Sequence, residues 1–217
     1  VVYDYESMAS FRIQRQSFLM DYKQEVYRLY RPFYKKNINM DVIPSDSDFD
    51  KYKVLLLPVM IVHKKEVQDK VRKFVSGGGT VVFTYRTAVK DYYNNLTLGQ
   101  FNPTYYTDLV GGYVEEVESF QDDQVAFLIG NEEFEGINGT ATVFRDMLKT
   151  TTAKTLFKYE DEFFEDLAAV TLNEYEGGKV YYIGSGADNT IMDAITNKII
   201  NESNLDAIES EEGVEVV

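Results

Sequence analysis

Between Val67 and Asp91 the chain reads VQDKVRKFVSGGGTVVFTYRTAVKD, and no other stretch restricts its folding so tightly. Val67, Val71, Phe74 and Val75 recur at i, i+4, i+7 and i+8, the stripe of a helix lying on a core. Gly77, Gly78 and Gly79 end that helix, because glycine enters a left-handed C-terminal conformation without a Cβ clash. Thr80 to Thr84 is a β-branched and aromatic run, the composition of a parallel strand covered on both faces. An abrupt polar turn, Tyr85-Arg86-Thr87, follows. In open α/β sheets ligands and partners gather at the carboxyl ends of strands, so this turn is the first place to look for function.

The same alternation extends backwards. Val1–Tyr5 reads as a first strand, followed by a turn at Glu6-Ser7-Met8-Ala9-Ser10. A helix is predicted from about Tyr22 to Lys36, with Tyr22, Val26, Leu29, Tyr30 and Phe33 on one stripe. Pro32 inside that stripe should kink it or loosen its last turn. Met40–Ile43 and Lys53–Leu57 read as strands two and three, Lys64–Ser76 as a helix, and Thr80–Thr84 as strand four. Short connections between alternating strands and helices argue for a doubly wound, mostly parallel α/β sheet with right-handed crossovers.

Asp91 to Thr107 is a loop rich in Asn, Tyr and Gly, longer than compact domains carry without purpose. Beyond Gly112 strands dominate: Tyr113–Phe120, Thr140–Phe144, Thr155–Tyr159, Ala168–Tyr175 and Val180–Ile183, the last two joined by a hairpin turn at Glu176-Gly177-Gly178-Lys179. A final helix runs from Asp188 to about Ile200, with Asp188 or Asn189 as its N-cap. The second half therefore extends the first sheet with added antiparallel strands. Val1 already lies in a strand pattern, and Gly213-Val214-Glu215-Val216-Val217 reads as a strand beginning, so the chain is expected to be a domain excised from something longer.

Bulk properties exclude several functions. Thirty-six acidic against 22 basic residues give a net charge of -14, which repels a polyanion and argues against nucleic acid. No apolar run approaches the ~20 residues of a membrane span, and no signal peptide is apparent, so a cytoplasmic location is expected. Zero cysteines exclude disulfides, thiolate metal sites and a cysteine nucleophile, and a single histidine, His63, excludes a histidine-rich metal cluster.

Asp46-Ser47-Asp48-Phe49-Asp50 has the carboxylate spacing that opens a calcium loop, but Lys51 and Leu57 stand where glycine and a bidentate glutamate are needed. A polar turn is the better reading. Gly184-Ser185-Gly186, between a strand and a helix, has the placement of a phosphate cradle, yet Asn189 replaces the third glycine and a tight turn explains it as well. The clusters Glu115-Glu116-Glu118 and Glu132-Glu133-Glu135 could pair carboxylates for glycoside hydrolysis, but runs of like charge read as solvated surface. His63, beside Lys64 and Lys65, has no nucleophile partner and reads as a surface residue. Three Asn-x-Ser/Thr triplets, at Asn95, Asn138 and Asn201, are chance matches.

A series of stretches, in order and with similar spacing, resembles the trimerisation (middle) domain of glycoside hydrolase family 42 β-galactosidases. They are Val2-Tyr3-Asp4-Tyr5-Glu6-Ser7; Asp41-Val42-Ile43-Pro44; Lys51 to Pro58; Gly78-Gly79-Thr80-Val81-Val82 through Arg86 to Lys90-Asp91; Leu98-Gly99-Gln100-Phe101; Val114-Glu115-Glu116; and Gly178 to Gly184. The closing Gly213–Val217 resembles the first strand of the small β domain that follows in that family. The resemblance implies a class I glutamine-amidotransferase-like (flavodoxin-like) α/β domain over residues 1–205, with 206–217 as a linker and the start of the next domain. It also implies that the catalytic glutamates lie on a separate TIM barrel, so no catalytic residue, cofactor or metal ligand is assigned here. The amidotransferase nucleophile position falls near Tyr85, where a tyrosine cannot do that chemistry. Met8-Ala9 stand where the family commonly carries tryptophan.

What the resemblance implies in function is a homotrimer-forming module of a cytoplasmic galactoside-cleaving enzyme, helping to wall the neighbouring sugar pocket, with neither nucleic acid nor membrane as partner. The residues expected at the interface are Tyr5, Glu6, Ser7 and Met8 after strand one, and Arg86, Lys90 and Asp91 after strand four. Arg86, Lys90 and Asp91 would supply polar rim contacts, and Tyr5 and Met8 buried area. Two other readings stand beside it: an amidotransferase-like sensor binding a small metabolite near Tyr85 and the Gly184 turn, and a self-contained hydrolase using surface carboxylates.

Overall fold

The computed structural model describes residues 1–208; the strand expected at Gly213–Val217 lies outside the described residues. Nine strands form one sheet: β1 (Val54–Leu57), β2 (Thr80–Thr84), β3 (Gly112–Ser119), β4 (Ala126–Gly130), β5 (Asn138–Thr150), β6 (Lys154–Tyr159), β7 (Ala168–Tyr175), β8 (Gly178–Ile183) and β9 (Ser185–Ala187). Their order is β1-β2-β8-β7-β6-β4-β5-β3, with β9 beside β5. Five helices accompany them: α1 (Tyr5–Ile13), α2 (Tyr22–Tyr34), α3 (Lys65–Ser76), the single turn α4 (Thr107–Val110) and α5 (Asn189–Glu202).

Only β1–β2 and β2–β8 pair in parallel among the named strands; every other pairing is antiparallel. The sheet is thus mixed and mostly antiparallel, which corrects the expectation of a mostly parallel one. The cause lies after β2. A parallel partner requires a crossover connection, usually a helix, and the chain leaving Thr84 enters the 91–106 loop instead. It returns through hairpins, the tightest being Glu176-Gly177 between β7 and β8, where φ is 47° and 94°. Two left-handed central residues match the twist of a two-residue hairpin.

The amino-terminal expectations need a second correction. Strands one and two shrink to the parallel bridge Val2–Ile43, although Val2 N–H also donates to Leu56 O at 2.9 Å and so joins β1. Asp4 then ends the extended segment by accepting from Ser7 N–H at 2.9 Å as the N-cap of α1. The stretch read as a turn, Glu6 to Ser10, is therefore helix. Its buried positions are Ser7, Ser10 and Phe11, spaced helically but mostly polar, so hydrophobic periodicity did not mark it. Pro32 is accommodated in the last turn of α2, where few further backbone bonds depend on it.

Side chains alternate along the parallel strands to build two cores. Leu55, Leu57, Val81, Phe83, Val180 and Tyr182 pack with Val67, Val71, Phe74 and Val75 of α3. Leu56, Val82, Tyr181 and Ile183 face the other way, toward Val26, Leu29 and Phe33 of α2 and Ile191, Ile195 and Ile199 of α5. Helices on both faces explain why β2 is buried throughout.

The glycine turn after α3 closes as expected, with one refinement. Gly78, not Gly77, takes the left-handed conformation (φ 93°), and its N–H donates to Val75 O at 2.9 Å while Gly79 N–H donates to Phe74 O at 3.0 Å. These are the two bonds of a Schellman motif. Gly178, entering β8, passes so close that a Cβ there would lie 2.1 Å from Val75 O and 2.7 Å from Gly79 O. In a thermal or urea unfolding series, Gly78→Ala should cost about 1–2 kcal/mol for the left-handed backbone. Gly178→Ala should cost more, because backbone atoms on both sides must move.

Candidate functional site

The carboxyl ends of the parallel strands carry two turns zipped together by backbone bonds. Ala88 N–H donates to Met60 O (2.8 Å), Val89 N–H to Ile61 O (3.0 Å) and His63 N–H to Lys90 O (2.8 Å). Both turns are strained: Val59, Arg86 and Ala88 have φ of 40°, 59° and 52°. Non-glycine residues in this region cost roughly 1–3 kcal/mol each and persist only where their surroundings over-determine them.

The surroundings here centre on Asp146, from the middle of β5. Its Oδ2 accepts from Arg86 N–H and from the Tyr182 hydroxyl, both at 2.7 Å. The Tyr159 hydroxyl donates to the backbone oxygens of Asp146 and Gly184 at 3.1 and 3.2 Å. Asp146 is 1% exposed, and burial pushes its carboxyl above the usual range while the nearby Arg86 guanidinium pulls it back. Arg86 lies over the Phe144 ring at 5.6 Å and donates to Gln16 Oε1 at 2.8 Å, which ties the segment after α1 to the same turn.

A second polar group joins α1 to the loop. Lys90 Nζ donates to Ser10 Oγ (3.3 Å) and Asn94 Oδ1 (3.1 Å), and Ser10 Oγ donates to Asn94 at 2.6 Å. Burial, then the Arg86 charge, lowers the Lys90 pKa. Val62 N–H donates to Ser7 Oγ at 3.2 Å. Lys64 bridges Glu6 (2.8 Å) and the buried Asp4 (3.6 Å). Asp91 organises the loop by accepting from the N–H groups of Tyr93 and Asn95, both at 2.9 Å. The Asn95 N–H bond is foremost in holding its carboxyl below the usual range.

The two stretches picked from sequence are therefore brought together, α1 against the 86–95 segment. Within them Ser7, Arg86 and Lys90 are buried in the chain itself, with Arg86 9% and Lys90 2% exposed. Glu6, Met8 and Asp91 are partly exposed and Tyr5 is 62% exposed. Next to this polar cluster, large apolar side chains are exposed, Tyr5 on α1 and Tyr92, Tyr93, Leu96, Leu98 and Phe101 on the loop.

Asp146 and Gln16 were missed. The signal for Asp146 was present as a charged pair, Arg145-Asp146, inside an apolar run. The motifs set aside from sequence are occupied otherwise. Asp48 accepts from Asp50 N–H (3.0 Å) and Asp50 pairs with Lys73 (2.6 Å). Glu118 pairs with Arg145, and Glu133 with Lys154 and Lys198. Gly184-Ser185-Gly186 is no cradle: Ser185 and Gly186 belong to β9, paired to β5, and a Cβ on Gly184 would meet Asp146 O at 2.4 Å. Tyr85 is 1% exposed against Phe144 and Met20, so the two features expected to frame a metabolite pocket are packed into the core. The reading of His63 as a surface residue is also corrected, since it is half-buried between α3 and the loop.

The fold is thus a mixed α/β domain with a buried polar cluster joining α1, the strand-end turns and the 91–105 loop. The chain belongs to the β-galactosidase trimerisation-domain family of glycoside hydrolase family 42, whose model matches residues 1–206. It is 26% identical over 219 residues to the β-galactosidase BgaP of Planococcus sp. strain L4, covering 99% of this chain and 32% of that protein. It is 32% identical over 191 residues to GalA of Bacillus licheniformis, covering 85% of this chain and 27% of GalA. Among solved structures, the β-galactosidase from Bacillus circulans sp. alkalophilus superposes with a TM-score of 0.93 at 25% identity, over 99% of this chain and 32% of that one. The chain thus spans about a third or less of the length of these relatives.

Replacing Asp146 tests the brace. Asp146→Ala leaves a buried N–H and hydroxyl without an acceptor and Arg86 without its counter-charge, and should cost about 3 kcal/mol or more in urea unfolding. Asp146→Asn keeps an acceptor for the N–H and the hydroxyl, though not the counter-charge, and should cost less than the alanine variant. Because burial raises the folded-state pKa, the wild-type group contributes most below about pH 4 and its contribution is lost as pH rises through the raised pKa. Asp146→Asn should lack that decline.

Proposed function

We propose that this chain is the assembly module of a β-galactosidase, holding the parent enzyme as a trimer and presenting the α1 and 91–105 face to a neighbouring protomer, where it helps wall the sugar pocket. Cleavage of terminal β-galactosides resides on the parent's TIM barrel, outside this chain, and needs no cofactor or metal from it. The observation that carries the reading is the exposure of large apolar side chains on one braced face, with Tyr93 81% and Leu98 84% exposed. Contiguous exposed apolar groups on a folded domain mark interaction sites, and tyrosine is enriched at them. Tyr5, Met8 and Asp91 contribute from the surface, Glu6 through its bridge to Lys64. Ser7, Arg86 and Lys90 act from beneath, by fixing the backbone that carries the exposed residues. A ring of three requires heterologous, closing contacts.

The parallel part supports the amidotransferase-like reading of the fold. Ile43, Val2, β1 and β2 lie side by side in an order that, numbered along the chain, is 2-1-3-4, the flavodoxin-like arrangement. Residues 1–205 are the module, and 206–217 lead toward the parent's following domain. The net charge of -14 argues against a nucleic-acid partner, and a cytoplasmic parent without a membrane partner belongs to the same proposal.

Sedimentation velocity tests the interface. Tyr93→Glu with Leu98→Glu should shift the parent enzyme from trimer toward monomer, because losing a central anchor costs about 2 kcal/mol or more, roughly 30-fold in affinity. An unchanged trimer removes this face from the interface. The 217-residue chain alone should show no turnover of a chromogenic galactoside.

A further inference from the structure

Arg28, Lys64, Arg72, Lys73, Arg145 and Lys198 each pair with a carboxylate of the same chain. Arg12, Arg15 and Lys23 do not. All three are exposed, and their charged groups meet no partner among the described residues. They line one cleft of about 300 Å³ between the end of α1 and the start of α2. Met8, Phe11, Met20 and Tyr22 give it an apolar floor, the last three buried. The carboxylate in the cleft, Asp21, is engaged as the N-cap of α2, accepting from the N–H groups of Lys23 and Gln24 at 2.9 and 3.3 Å. In a chain with a net charge of -14, three unpaired cations around an apolar floor mark a surface for an acidic partner.

A complementary segment joins β6 to β7: Asp161-Glu162-Phe163-Phe164-Glu165-Asp166. Asp161 pairs with Arg145 at 2.9 Å and accepts from Phe163 N–H at 3.0 Å. Phe164 turns inward, with the Arg145 guanidinium 5.1 Å from its ring. Phe163 is left 91% exposed, the highest value of any large apolar side chain among the described residues, so it fills no part of its own chain's cleft. Glu162, Glu165 and Asp166 flank it, exposed, and their carboxylates meet no partner among the described residues.

We propose that this acidic segment of one protomer docks in the Arg12–Lys23 cleft of the next, with Phe163 on the apolar floor and its flanking carboxylates against Arg12, Arg15 and Lys23. The proposal rests on the assembly reading and supplies the second surface that reading needs. A ring closes through heterologous contacts, so each protomer must offer two different patches. The α1 side, to which Met8 belongs, is one, and the 161–166 segment is the other. The cleft has room for a phenyl ring, since a cavity of about 150 Å³ holds benzene. Methionine sulfur on that floor favours an aromatic ring. The bonds made by Asp161 fix the segment before contact, which lowers the ordering cost of association.

Charge reversal and rescue, read by sedimentation velocity of the parent enzyme, test the contact. Arg12→Glu with Arg15→Glu should raise the apparent dissociation constant on the order of tenfold or more, because like charges then face each other. Glu162→Arg with Glu165→Arg should do the same. All four together put opposite charges back in register and should return assembly to within about threefold of the wild type. Phe163→Ser, which removes the anchor, should weaken assembly roughly 30-fold. These side chains are exposed and make no ion pair within the chain, so the variants should melt with the wild type. Loss in both double variants without recovery in the quadruple one overturns the pairing. An assembly indifferent to all of these changes, yet broken by Tyr93→Glu with Leu98→Glu, also overturns it and leaves the assembly reading standing. A parent that is monomeric before any substitution overturns the assembly reading, and this contact with it.

Discussion

A carboxylate from β5 holds a strained turn that belongs to a different part of the sheet. Asp146 accepts the N–H of Arg86, the residue forced to a φ of 59°, and the hydroxyl of Tyr182 on the strand between them. Left-handed backbone at three non-glycine positions would relax without such restraint. The antiparallel second half therefore does more than enlarge the core. It supplies the acceptor that fixes the carboxyl ends of the parallel half, and α1 and the long loop are hung on those ends through Gln16, Ser10 and Asn94.

This dependence accounts for an otherwise odd distribution of polarity. Arg86 and Lys90 are turned inward, while Tyr92, Tyr93, Leu96, Leu98 and Phe101 of the adjoining loop are exposed. In a domain with a net charge of -14, exposed apolar side chains of that kind are a liability unless a partner covers them. A braced backbone lowers the ordering cost that association would otherwise bear. Rigid support beneath and apolar anchors above are two halves of one arrangement, and both suit a family of trimerisation domains.

Much of the fold was legible in the sequence where hydrophobic pattern and glycine chemistry agreed. α3, the Gly77–Gly79 stop and β2 follow from the 67–84 stretch, and the structure adds only which glycine, Gly78, is left-handed. α1 was not legible, because its buried side of Ser7, Ser10 and Phe11 is held by hydrogen bonds that no periodicity reveals. β4 escaped although Ala126 and Leu128 alternate with exposed Phe127 and Ile129, since an acidic tract precedes it. β5 was read as Thr140–Phe144, less than half its length. Its bulge, with Val143 at a φ of 72°, and its charged Arg145-Asp146 pair disguised the rest. The site was half legible for the same reason. Position along the chain marked Arg86 and Lys90 as lying after a strand, whereas the groups that bond them, Asp146 for the Arg86 N–H and Ser10 and Asn94 for Lys90, come from β5, α1 and the loop.

The most direct test of the account is hydroxyl-radical footprinting of Tyr92, Tyr93 and Phe101 in the assembled parent β-galactosidase and in the free 217-residue chain. The account predicts that these rings are readily oxidised in the free chain and protected in the assembly, while Tyr85 and Tyr182 are shielded in both. Equal oxidation of the three rings in both states would contradict it.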